Sequence, residues 1–238
     1  MFPATDNPAQ RLLQILKAAQ QMDNRQTTAI WGSVFSIQPI DNAICYRIVG
    51  HLLSLVDAVD MRIRQIPGIN HELYLRDLPA IRRIICPDNL HTNWHNIKGP
   101  LDTGVLTGLE FCAAELSKTH SEEPVLGSTL AALRAEFAEI LGEVGQSSIP
   151  AELKLVLFDL LTSALLAIDH YKILGNDGLK RSIAYTIGML TLHKEQFKSA
   201  TESGILKKTH AAIKHLFDVV TTAHRIKEIG DSLTKLLV

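Results

Sequence analysis

Apolar residues in this chain recur at intervals of three and four, the spacing that keeps side chains on one face of an α-helix. The longest such stripe runs Ile44, Ile48, Leu52, Leu55, Val59, Ile63 and Ile66. Asp41 stands where a helix cap belongs, and Pro67-Gly68 follows as a stop. Arg47, Asp57, Asp60, Arg62 and Arg64 occupy the other faces. A helix is also predicted from Asp6 or Asn7, with Pro8 in its first turn and Leu12, Leu13, Ile15 and Leu16 on its apolar side. A short second one carries Ile30, Val34 and Ile37 beside Trp31 and Phe35, and ends before Pro39.

The pattern changes over residues 67–103. Prolines at 67, 79, 87 and 100, with Gly68 and Gly99, limit any helix there to a few turns. Regular stripes then resume: Val105, Leu109, Cys112 and Leu116; then Leu130, Leu133, Phe137, Ile140 and Leu141. Next comes an apolar helix from about Pro150 to Leu174, with Gly175 as its C-cap. Another, capped by Asp177, carries Leu179, Ile183, Ile187, Leu190 and Phe197. After a break near 199–204, a last helix carries Ile213, Leu216, Phe217, Val220, Ile226, Ile229, Leu233 and Leu236. No alternating strand pattern and no fixed repeat emerges. The expectation is an all-α bundle of about eight helices: an N-terminal helical subdomain over 1–66, an irregular Pro-rich junction over 67–103, and a C-terminal bundle over 104–238.

Composition narrows the functional classes. The chain is 46% apolar and 21% charged, enough to build a core and ordinary for a globular protein. A net charge of −1 argues against binding nucleic acid through bulk charge. Cys45, Cys86 and Cys112 are odd in number and lack CxxC spacing, which fits buried thiols in a reducing compartment. No leader-like segment opens the sequence. The most apolar stretch, ELKLVLFDLLTSALLAIDHY, has too short an uninterrupted run for a bilayer. The chain therefore reads as soluble and cytoplasmic.

The stretch PDNLHTNWHNIKGP, residues 87–100, holds two histidines four apart. On a helix His91 and His95 would share a face and could hold a metal, with Asp102 as a distant third ligand. The zincin pattern needs Glu after the first His, and Thr92 stands there. The plainer account is a short helix capped by Asp88, buried through Leu90, Trp94 and Ile97, and ended by Gly99-Pro100. No nucleophile elbow, Walker loop or dinucleotide fingerprint is present. No catalytic residue, metal ligand or cofactor site is assigned.

Charge is distributed unevenly. Residues 102–143 hold eight acidic and two basic side chains, and residues 172–227 hold ten basic and four acidic. A further basic group gathers Arg62, Arg64, Arg76, Arg82 and Arg83. Arginine's planar fork suits carboxylate partners. Arg82 and Arg83 cannot both turn inward beside Ile81, Ile84 and Ile85. Arg62, Arg64, Arg82 and Arg83 are therefore the expected partner-binding residues. The function expected is a non-enzymatic interaction or adaptor protein that binds a protein partner and forms a homodimer through residues 205–237. The competing expectation is a helical hydrolase or nucleic-acid-directed enzyme, whose pocket would gather at least two of His91, His95, Asp102, Glu110, Asp169 and His170.

Overall fold

The computed structural model describes residues 6–37, 41–119, 123–199 and 203–222. Most of these residues are helical, with no strand among them. The chain divides into two compact units, Met1–Ser121 and Glu122–Val238. The division lies beyond the Pro-rich segment, and residues 67–103 belong with the first unit. The helix that follows them does too, because its stripe finds partners there.

The first unit contains α1 (Pro8–Gln20), α2 (Thr27–Phe35), α3 (Asn42–Arg64), α4 (His71–Leu75), α5 (Leu78–Ile85) and α6 (Thr103–Thr119). Asn7 and Asp41 cap the helices assigned to them, Asp102 caps α6, and Asp177 lies inside the helix Tyr171–Leu192 and not at its start. Asn7 Oδ1 accepts the Gln10 amide at 2.9 Å, Asp41 Oδ1 the Ile44 amide at 2.7 Å, and Asp102 Oδ1 the Val105 amide at 2.9 Å. Each satisfies an amide that the first helical turn leaves unpaired. α3 is the central helix, in contact with α1, α2, α4, α5 and α6. Its stripe from Ile48 to Ile63 is buried. Buried Asn7 also joins α1 to α6, donating from Nδ2 to Ala113 O at 3.3 Å and to Ser117 Oγ at 3.1 Å.

The second unit contains α7 (Gly127–Val144), α8 (Ala151–Asp169), α9 (Tyr171–Leu192), α10 (Lys194–Ser199) and α11 (Gly204–Thr222). α7, α8, α9 and α11 share one core that includes Phe137, Leu157, Leu161, Leu179, Leu216 and Phe217. Among the described residues the count exceeds the expected eight, because the proline-broken segment forms α4 and α5 and His193 separates α10 from α9.

The predicted helix over 150–174 is two elements. α8 ends at Asp169, and His170 leaves helical geometry at φ −99°, ψ 18°. A turn of α9 follows before Gly175, at φ 57°, ψ −157°, breaks it. That conformation excludes a Cβ, so only glycine serves there. A polar network sits at the corner. The Tyr171 hydroxyl donates to Asn176 Oδ1 at 2.7 Å and accepts from the Val125 amide at 2.8 Å, while Asn176 Nδ2 donates to Glu123 O at 3.0 Å. The apolar pattern continues through Ile168, Tyr171 and Ile173, so periodicity alone does not reveal the corner.

Candidate functional site

The histidine-bearing stretch serves the fold. It forms no α-helix, only a 3₁₀ turn at Trp94–Asn96. The Thr27 amide donates to Thr92 O at 3.0 Å, the Thr28 amide to Leu90 O at 3.2 Å, and the Trp94 amide to Arg25 O at 2.7 Å. The stretch is thereby laced to the α1–α2 connection. Trp94 is fully buried, meets Trp31 edge-on at 5.6 Å, and donates from Nε1 to Ala19 O at 3.0 Å. His91 and His95 are exposed, and the non-helical backbone removes the shared face their spacing suggested. Asp88 caps no helix. Asn89 takes the nearby role, accepting the His91 amide at 2.8 Å. Asp102, the distant third ligand, is occupied as the cap of α6. Among the described residues no three His, Cys, Asp or Glu side chains cluster as a metal site would require.

The arginines separate into different situations. Arg64 Nε binds Asp60 at 3.0 Å along α3, and Arg82 reaches from α5 to Asp57 of α3. Arg62 is half-buried and Arg83 exposed. Ile81, Ile84 and Ile85 are buried, so α5 turns its apolar side inward as its pattern requires. The partners found for Arg64 and Arg82 lie on α3, not in the acidic segment 102–143. That segment has its own cations. Glu110 meets Lys17 of α1 at 2.6 Å; on α7, Glu143 meets Lys208 and Glu136 meets His215, both from α11. The acidic α7 and the basic α11 therefore face each other, and much of the charge asymmetry is satisfied inside the second unit.

α11 buries within the second unit the described part of the stripe expected to form a dimer. Ile205, Leu206, Ile213, Leu216, Phe217 and Val220 are all buried, and α11 packs on α7 and α9. The remainder of the expected surface, residues 223–237, lies outside the described residues.

A feature absent from the sequence reading is a groove of about 430 Å³ between α4 and α6. Gly104, Thr107, Gly108 and Phe111, at helical spacing, give α6 a narrow face there, and Leu73, Tyr74 and Arg76 supply the opposite wall. Leu73 and Phe111 are 57% and 62% exposed, unusual for side chains of that size. Gly108 permits the close approach of Asp77, since a Cβ would lie 2.8 Å from its carboxylate oxygen. Behind this wall the buried Cys112 thiol donates to Tyr74 O at 3.3 Å. Its pKa is pushed up to about 12, first by burial and then by the nearby Asp77 carboxylate. The one sequence signal was Phe111, an aromatic standing off the stripe of Val105, Leu109, Cys112 and Leu116. α4 has only five residues, too few for periodicity to reveal the opposite wall.

The three carboxylates named for the enzymatic alternative already have partners. Glu110 is held by Lys17, Asp169 by Arg134 at 2.6 Å, and Asp102 by its own helix end. Asp169 and His170 lie in the second unit and the other four residues named for that alternative in the first. No helix among the described residues is long and apolar enough to cross a membrane. Comparison with protein-family models, with characterised proteins and with solved structures finds no match to this chain.

Proposed function

We propose that this chain is a non-enzymatic, cytoplasmic interaction protein whose first unit binds an acidic, amphipathic segment of a partner protein. The carrying observation is the α4–α6 groove, where Leu73 and Phe111 stand exposed beside Arg76, whose Nε also meets Asp77 at 3.3 Å. Large apolar side chains lining a concave surface beside a cation suit a ligand with apolar anchors and a carboxylate. Arg83 extends the positive charge in sequence, while Arg76, Arg64 and Arg82 already hold Asp77, Asp60 and Asp57 and would have to exchange them. Burying two anchors contributes about 1.5–3 kcal/mol each, so the groove supports binding near the micromolar range only with help from charge. The free thiols of the described residues accord with a reducing compartment.

A photo-crosslinking residue at position 111 tests the site, with one at exposed Leu126 of the second unit as control. The expected result is a discrete partner adduct from position 111 alone, weakened by rising salt and by the Leu73→Ser variant. Replacing Arg62, Arg64, Arg82 and Arg83 together by Ser is expected to leave the melting temperature nearly unchanged and to reduce adduct formation. Equal labelling from both positions, or indifference to salt and to all four arginines, overturns the reading. Self-association belongs to the same reading. Light scattering on the eluting full chain checks it, a dimer being expected and a strict monomer refuting it.

A further inference from the structure

We propose that the groove between α8 and α9 binds a small zwitterion, with an ammonium and a carboxylate on a short apolar body. The inference is independent of the partner-binding reading, since it concerns the other unit and a different chemistry.

Its starting point is Ser182. The residue is 4% exposed, lines this groove, and its hydroxyl has no hydrogen-bond partner among the described residues. A serine or threonine inside a helix can bond the carbonyl four residues back. Ser54, Ser117, Thr191, Thr209 and Thr221 all do so here, at 2.8–3.0 Å. Ser182 makes no such bond and, being buried, leaves a donor and acceptor at the groove wall, where an orphaned polar group is costly unless something completes it.

The rest of the groove states what would complete it. Asp159, Ser163 and Leu166 fall on one face of α8, Arg181 and Tyr185 on one face of α9, and Leu174, just before the break at Gly175, also lines the groove. Because α9 follows α8 through the corner at His170, residues near the corner oppose each other. Leu166, Ala167 and Leu174 make that end apolar. The far end carries Asp159, Ser182, Arg181 and Tyr185. Asp159 and Arg181 are both exposed, and among the described residues neither forms an ion pair. A lone anion would meet Asp159 and a lone amine would meet Arg181, each at a like-charge cost. A ligand carrying both charges satisfies both residues, gives Ser182 a partner, and lays its apolar part toward Leu166 and Leu174. The groove measures about 590 Å³, within the usual range for small-molecule sites.

The test is a titration of the full chain by amide chemical-shift perturbation with three probes of equal shape: L-leucine, L-leucinamide without the carboxylate, and 4-methylpentanoate without the ammonium. L-leucine is expected to shift amides of residues 159–185 saturably, and the other two to bind at least about 10-fold more weakly. Arg181→Gln and Asp159→Asn, both on exposed side chains, are each expected to weaken L-leucine by about 10-fold without lowering the melting temperature. Ser182→Ala is expected to weaken binding while the melting temperature does not fall, because an unpartnered hydroxyl is removed. No saturable shift up to about 20 mM, equal binding of all three probes, or a marked loss of stability in Ser182→Ala overturns the proposal.

Discussion

Trp94→Phe isolates what holds the histidine-bearing stretch in place. The indole is fully buried, donates to Ala19 O at 3.0 Å, and meets Trp31 edge-on. Phenylalanine keeps an aromatic ring and loses the N–H and about 40 Å³ of volume, worth about 1 kcal/mol at roughly 24 cal/mol per Å³ of residual cavity. Ala19 O still accepts the Met22 amide at 3.1 Å. Losing the indole donor therefore falls at the low end of the usual cost, about 1 kcal/mol. The sum is about 2 kcal/mol, against about 5–15 kcal/mol for a whole domain. Trp31 and Trp94 are the only tryptophans in the chain. Trp31 fluorescence in the variant then reports unfolding of the first unit alone. With a urea slope of about 1–3 kcal/mol per molar, the midpoint is expected to fall by roughly 1 M. A change below about 0.5 kcal/mol is what a surface substitution gives, and would mean that Trp94 does not anchor this stretch.

Native protein treated with a thiol reagent at neutral pH is expected to label Cys86, which is exposed, and to spare Cys45 and Cys112, whose pKa values are raised by burial. Rapid labelling of Cys112 would refute its placement behind the α4–α6 groove. Burial, with Lys214 nearby, lowers His210 below its ordinary 6.5. The unfolded chain thus takes up a proton that the folded chain resists, and stability is lost as pH falls through about 6.5. The melting-temperature gap between pH 7.5 and 5.5 is expected to narrow in His210→Gln, and an unchanged gap would show that His210 does not contribute. Leu55→Asp places a carboxylate at a position 4% exposed and is expected to unfold the first unit. Leu165→Asp lies at the edge of the second core, where the charge reaches water, and is expected to cost less; equal losses by circular dichroism melts would contradict this difference in burial.

The sequence by itself determined what depends on near neighbours. Asp41, the stripe from Ile48 to Ile63, and Pro67-Gly68 define α3 because capping, one-sided burial and chain stopping are all settled within a few turns. The short helices of 67–103 follow from proline in the same way. Tertiary structure decided which partner each stripe met. α6 went to α1 and α3, so the division fell after Ser121, and α11 buried against α7 and α9 the face that its length alone offered to a second copy. It also decided the corner at His170, where an apolar pattern runs on unbroken while Gly175, Tyr171 and Asn176 fix the backbone through contacts with Glu123 and Val125. The spacing of His91 and His95 lost its meaning once Trp94 was drawn into the core and the backbone around it paired with residues 25–28. The two grooves were beyond the sequence for the same reason. A groove is the space left between two helices, and it exists only after distant packing has chosen which faces meet.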